Sequence, residues 1–221
     1  MTGAIVFDLD GTLVDSAPDI AAAANRMLDE IDHAPLPVPL LRSFIGHGIP
    51  RLVGQVIAHL ELDPASQGGL TQRMLAQYSR HPADLTRPYP GVPAALERLR
   101  DAGHRLGICT NKHHGLSVQV LDALDLSRFF DVVIGGDSLP QKKPDPAPLR
   151  TAFAAVDAAP LVYVGDSEVD AQTAQAAVLP FGLYSGGYRT TPIEALPHSF
   201  SFDDYRMLAA KVAEFACRRE G

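Results

Sequence analysis

Hydrophobic positions along this chain fall into two rhythms. From Gly91 onward, short apolar runs alternate with segments of helical period. The runs at 105–110, 131–135, 161–164 and 181–184 predict strands, and the segments at 92–102, 114–124, 146–156, 168–177 and 204–218 predict helices. Such alternation implies right-handed crossovers and a parallel sheet covered on both faces. A further strand-like run, Ala4-Ile5-Val6-Phe7, stands far upstream, and its β-branched and aromatic content fits a strand buried on both sides. Between it and the rest, helical periodicity prevails alone, at 17–31, 50–60 and 64–80. A proline-rich joint at 34–39 interrupts that block, and Pro82, Pro88 and Pro90 mark the way back. The pattern therefore predicts an α/β fold: a doubly wound parallel (Rossmann-like) sheet core from 1–14 and 86–221, with an inserted all-helical cap domain at 15–85.

The first strand runs straight into Asp8-Leu9-Asp10-Gly11-Thr12. Side chains two apart on a strand point the same way, about 6.6 Å from each other. Asp8 and Asp10 thus emerge side by side at the strand end, where Gly11 permits a sharp turn. Asp-Gly after an apolar run is also a hairpin signal, but the helical period of 20–27 argues against a second strand there. Two crowded carboxylates repel, so a cation is expected between or beside them, and a divalent metal is the natural candidate.

Composition narrows the partners. The chain has 221 residues, 20% charged and 46% hydrophobic, with a net charge of −7. That length accommodates one core with a small insertion. The acidic balance argues against nucleic acid and against an anionic membrane surface. No basic leader with a long apolar stretch precedes the first strand, and no run reaches the ~18 apolar residues of a membrane span. With two cysteines, Cys109 and Cys217, the reading is a reducing, cytoplasmic compartment. If the substrate is anionic, its cationic receptors are few and local.

In open parallel sheets, ligands bind beyond the carboxyl ends of the strands, and polar residues gather at those places here. They are Asp8 to Thr12, Thr110-Asn111-Lys112, Lys142-Lys143-Pro144-Asp145-Pro146, and Gly165-Asp166-Ser167-Glu168-Val169-Asp170. Each alone has an ordinary explanation: a helix cap at Thr110-Asn111, a solvated loop at the lysine pair, a capped turn at Gly165-Asp166-Ser167. Together they are hard to dismiss.

In this order, Asp-x-Asp-Gly-Thr, Thr-Asn, Lys-Pro-x-Pro and Gly-Asp-Ser-x-x-Asp, the chain resembles the haloacid dehalogenase superfamily of phosphohydrolases, over its full length. Within it, Asp10-Gly11-Thr12-Leu13-Val14-Asp15-Ser16, Phe44-Ile45-Gly46-His47-Gly48 and Thr110-Asn111-Lys112 look like phosphoglycolate phosphatases. The resemblance implies Asp8 as nucleophile, forming an aspartyl-phosphate, and Asp10 as the acid and base. It implies Mg²⁺ held by Asp8, the Asp10 carbonyl and Asp166, with Asp170 in support. Thr110, Asn111 and Lys143 are implied as phosphate ligands, with Gly11 and Thr12 supporting. Lys143 is chosen over Lys142 because it directly precedes Pro144.

The expected activity is hydrolysis of a small anionic phosphomonoester, 2-phosphoglycolate foremost. A sugar phosphomutase like β-phosphoglucomutase and a pyrophosphatase of the same superfamily are the alternatives. Asp10 favours ester chemistry over dehalogenation, since an alkoxide leaving group needs a proton and a halide does not. A Schiff-base phosphonatase needs a cap lysine, and residues 15–85 contain none. For the substrate carboxylate the candidates are Arg42, His47, Arg51 and Lys112, with a cap arginine as the expected reader.

Overall fold

A computed structural model describes residues 2–219. Six parallel strands form the main sheet, in the order β5 (Val132–Ile134), β4 (Arg105–Cys109), β1 (Ala4–Phe7), β6 (Pro160–Gly165), β7 (Phe181–Tyr184) and β8 (Phe200–Phe202). The first strand is central, paired in register Ile5 to Leu106 on one side and Ile5 to Val162 on the other. Its alternate side chains feed two different cores. Ile5 and Phe7 pack toward α5 (Val92–Asp101) and α9 (Leu208–Arg218), against Leu96 and Val212 among others. Ala4 and Val6 pack toward α7 (Ala147–Ala155) and α8 (Glu168–Ala177), with Leu149 and Ala174 in the same cluster. The helix α6 (His114–Ala123) follows β4. This double coverage explains why the strands read as unbroken apolar runs.

The predicted core helices and strands match the observed ones to within two residues, except that the last helix begins at Leu208 rather than at 204. Two features escape the hydrophobic pattern. One is β8, whose three residues, Phe200-Ser201-Phe202, offer only two apolar positions. The other is a two-stranded antiparallel ribbon, β2 (Val14–Asp15) with β3 (Arg87–Pro88), in which Val14 faces Pro88. A two-residue strand is too short to show a period.

Between the strands of that ribbon lie α1 (Ala17–Asp29), α2 (Val38–Arg42), α3 (Ile49–His59) and α4 (Gln67–Arg80). They share their own apolar cluster, separate from both sheet cores. On α3, Ile49, Leu52, Val53, Val56 and Ile57 are buried, the spacing of one helix face. Leu116 of α6 joins the same cluster, so the helical block rests directly on the core. No helix of the described residues is long and apolar enough to cross a membrane.

The two connections to the block are fastened to each other. Asp19, fully buried on α1, accepts hydrogen bonds from the Leu85 N–H at 2.9 Å, the Thr86 N–H at 2.7 Å and the Thr86 hydroxyl at 2.6 Å. Bonds to an ionised acceptor are each worth about 1.5–3 kcal/mol. Asp19→Ala is therefore expected to lower unfolding stability in urea by about 3 kcal/mol; a loss under about 1 kcal/mol would show that the fastening contributes little.

Candidate active site

Four segments converge at the carboxyl ends of the central strands. Asp8 follows β1, Thr110 follows β4, Asp166 follows β6, and Lys143 precedes α7. All four side chains are buried. At the turn after β1, Gly11 has φ +85°, and a Cβ there would lie 2.6 Å from an Asp166 carboxylate oxygen. That position requires glycine, both for its conformation and for the space.

Two lysines stand beside the paired aspartates, one for each carboxylate. Lys143 Nζ lies 3.0 Å from Asp8 Oδ1, and Lys112 Nζ lies 2.9 Å from Asp10 Oδ1. Both ammonium groups are almost completely buried. Lys143 also reaches Asp170 Oδ1 at 2.7 Å and the Tyr163 hydroxyl at 2.9 Å. Asp10 further accepts from the Ser16 hydroxyl at 2.6 Å.

Asp170 is the anchor of the set. Its Oδ1 accepts from Lys143 and, at 2.7 Å, from the Tyr163 hydroxyl. Its Oδ2 accepts from the Asp166 and Ser167 N–H groups and from the Ser167 hydroxyl. The Ser167 hydroxyl in turn caps α8, a reciprocal capping box. Burial opposes ionisation of Asp170, yet Lys143 and these hydrogen bonds hold its carboxyl below the usual carboxylate range. Asp8 and Asp166 are pushed the other way. Burial raises both, against the pull of Lys143 on Asp8, and neighbouring carboxylates add to the rise.

Carboxylate oxygens of Asp8, Asp166 and Asp170 lie within 4.8 Å of one another. Three buried acids face one lysine there, and Asp8 Oδ1, although near Lys143, has no hydrogen-bond partner. Such a donor set, all oxygen and short of positive charge, suits a hard divalent cation. Asp170 accepts five hydrogen bonds and Asp166 two, so Asp8 and Asp166 keep more lone-pair capacity for a cation. Asp166 is oriented by the Thr12 hydroxyl at 2.7 Å and the Tyr188 N–H at 2.6 Å.

The remaining predicted residues divide. Thr110 lines the cavity beside Asp8 and Asp10. The Asn111 side chain is committed to backbone, donating to the Gly46 and Lys143 carbonyls and accepting from the Lys143 N–H, all at 3.0 Å. That side chain joins the Gly46 loop to the Lys143 loop, and Asn111 itself lines the cavity beside Asp8. Arg42 is engaged with Asp15 at 2.8 Å, stacked over the Tyr188 ring and away from the cavity. Arg51 is exposed and lines no part of the site cavities. Neither cap arginine lines the cavity at Asp8 and Asp10. His47 is exposed on an open cleft that also reaches Asp8 and Asp166. Lys112 alone of the four lines the small cavity of about 40 Å³ above Asp8 and Asp10.

Four residues that sequence reasoning passed over matter here: Ser16, Tyr78, Tyr163 and Tyr188. Tyr188 ties the segment after β7 to the start of the helical block, since its hydroxyl accepts from the Ser16 N–H at 2.8 Å and donates to Asp15 at 2.8 Å. None of the four stands in a spaced motif of chemical groups. Ser16 was visible only as the end of the run starting at Asp10.

The family profile described as haloacid dehalogenase-like hydrolase matches residues 5–183. The chain is 50% identical over 203 residues to a phosphoglycolate phosphatase of Cereibacter sphaeroides, covering 91% of this chain and 93% of that one. A phosphoglycolate phosphatase of Rhodobacter capsulatus is 43% identical over 211 residues, covering 94% and 95%. Among solved structures, a predicted phosphoglycolate phosphatase from Haemophilus somnus superposes with a TM-score of 0.87 at 29% identity, covering 96% of this chain and 98% of that one.

Proposed function

Because the chain belongs to the haloacid dehalogenase-like hydrolases and is a phosphoric monoester hydrolase, we propose that it cleaves 2-phosphoglycolate to glycolate and phosphate. The observation that carries this reading is the pairing of Asp8 and Asp10 with separate buried lysines, at a cavity walled mostly by apolar side chains.

Asp8 is the nucleophile. Its carboxylate oxygen attacks phosphorus as the bond to the leaving oxygen breaks, forming an aspartyl-phosphate. Asp10 protonates the departing alkoxide, then takes a proton from the water that attacks the phosphoenzyme and regenerates Asp8. Splitting one displacement into two helps a reaction for which enhancements reach ~10²¹-fold. Lys143 and the Thr110 hydroxyl hold the phosphoryl oxygens, where fixed charge and donors stabilise the transition state.

Asp8, Asp166 and the Asp10 carbonyl would hold Mg²⁺, with Asp170 fixing the segment that carries Asp166. When bound, the cation supplies positive charge to the phosphoryl oxygens and to the crowded acids. Helices α1–α4, on residues 15–85, act as the cap over the leaving group.

The test is initial-rate phosphate release from 2-phosphoglycolate, glucose 1-phosphate and pyrophosphate, with Mg²⁺ and after chelation. The expected outcome is a preference of about 100-fold or more for 2-phosphoglycolate, in line with buried polar recognition, and loss of activity on chelation. Conversion of a sugar phosphate to its isomer, or preference for pyrophosphate, would sink the reading.

A further inference from the structure

The residue that reads the leaving group is legible from the cavity walls. Ile20, Ile45, Ile49, Leu52 and Tyr78 line it from the cap, beside the glycines of the Gly46–Gly48 loop. Sugar hydroxyls would lose water there and meet aliphatic carbon, which is costly. Among the lining residues the single cation is Lys112, whose side chain is 2% exposed.

Lys112 is held from two sides. Its ammonium contacts the Asp10 carboxylate at 2.9 and 3.2 Å on the core side. On the cap side it hydrogen-bonds the hydroxyl of Tyr78 and lies 4.4 Å from that ring's centroid. Tyr78 is itself buried at the end of α4. An ammonium has three N–H donors, and the two Asp10 oxygens and the Tyr78 hydroxyl meet all three, so an anionic substrate group binds by replacing the longest contact, the 3.2 Å one to Asp10 Oδ2.

Distance sets the chemistry of that group. Asp10 has to reach the leaving oxygen, and Lys112 touches Asp10. The leaving oxygen and the substrate's anionic group must then lie within a few ångströms of each other, as when both are carried on one carbon. Resting on the phosphatase reading above, we infer that Lys112, seated by Tyr78, binds the carboxylate of a short acid phosphorylated on its α-oxygen. The pair selects such phospho-acids over neutral alkyl phosphates. Tyr78 acts as a positioning residue, because it touches the lysine.

The competing role for Lys112 is to hold Asp10 alone, and a pair of substrates separates the two. Ethyl phosphate is 2-phosphoglycolate with a methyl group in place of the carboxylate. The measurement is kcat/KM for both substrates, with Mg²⁺, in wild type, Lys112→Met and Tyr78→Phe. Wild type is expected to prefer phosphoglycolate strongly. Lys112→Met should cut the phosphoglycolate-to-ethyl-phosphate ratio about 100-fold, as expected for removal of a buried charge partner. Tyr78→Phe, which keeps the ring and the packing, should cut it about tenfold, mostly through KM for phosphoglycolate. Equal losses on both substrates would mean that Lys112 serves Asp10 only, and would overturn the inference. So would a wild type with no preference between the two. A wild type that releases phosphate from neither overturns the phosphatase reading itself, and this inference with it.

Discussion

Asp8→Asn is expected to leave a folded protein whose phosphate release from 2-phosphoglycolate is slower by on the order of 10⁴-fold or more, the range for loss of a nucleophile. An amide cannot attack phosphorus, and acid-quenched mixtures of the variant with substrate should contain no phosphorylated protein. Stability moves differently from activity. In the native fold, burial and the Asp170 charge work against an ionised Asp8, and Lys143 only partly compensates. Replacing that carboxylate by a neutral amide removes repulsion, so the metal-free variant should melt at or above the wild-type temperature. Phosphate release that survives in Asp8→Asn would remove Asp8 from the nucleophile's place.

Lys143→Met should do the reverse, damaging stability as well as rate. Lys143 is the one ammonium within reach of both Asp8 and Asp170 among the described residues. Removing one partner of a buried ion pair costs about 3–5 kcal/mol. At roughly 2–4 °C per kcal/mol for a chain of this size, the melting temperature should drop by about 6–20 °C. The deficit has a sign in pH. Without the lysine, the folded state favours protonated acids more than the unfolded state does, so folding takes up protons. The gap to wild type should therefore narrow as pH falls and widen as it rises. Added divalent cation should restore part of the melting temperature, because it supplies charge to the same acids. Phosphate release should fall by about 10²–10³-fold, the cost of a lost transition-state donor. A pH-independent loss of stability would indicate that Lys143 contributes packing rather than charge.

What lies along the chain and what lies across it separate cleanly in this protein. Continuous apolar runs announced the parallel sheet, because strands covered on both faces need hydrophobic side chains at every position. The order of Asp8, Asp10, Thr110, Lys143 and Asp166 was legible because each sits at the end of an element whose type the pattern already told. A parallel sheet brings such ends together whatever the intervening length. Partners across space were not legible in this way. Lys112 was one cation among four candidates until the fold set it against Asp10 and Tyr78. Arg42 and Arg51, equally plausible in sequence, lie outside that cavity, the first paired with Asp15 and the second exposed.

Tyr163 shows why. Within its strand it is one more large apolar position, and only its depth beside Asp170 turns its hydroxyl into a hydrogen-bond anchor. Asp19 is similar: an acid in the first turn of a helix reads as a dipole partner, yet the fold buries it and presents it with the Leu85 and Thr86 donors. That Asp8 and Asp10 face one cavity agrees with their two-residue spacing just beyond a strand end, a feature of the sequence itself. Which lysine neutralises which carboxylate was decided only in the tertiary structure. Burial makes a charge dependent on its nearest partner, and nearness between residues a hundred positions apart is a property of the fold.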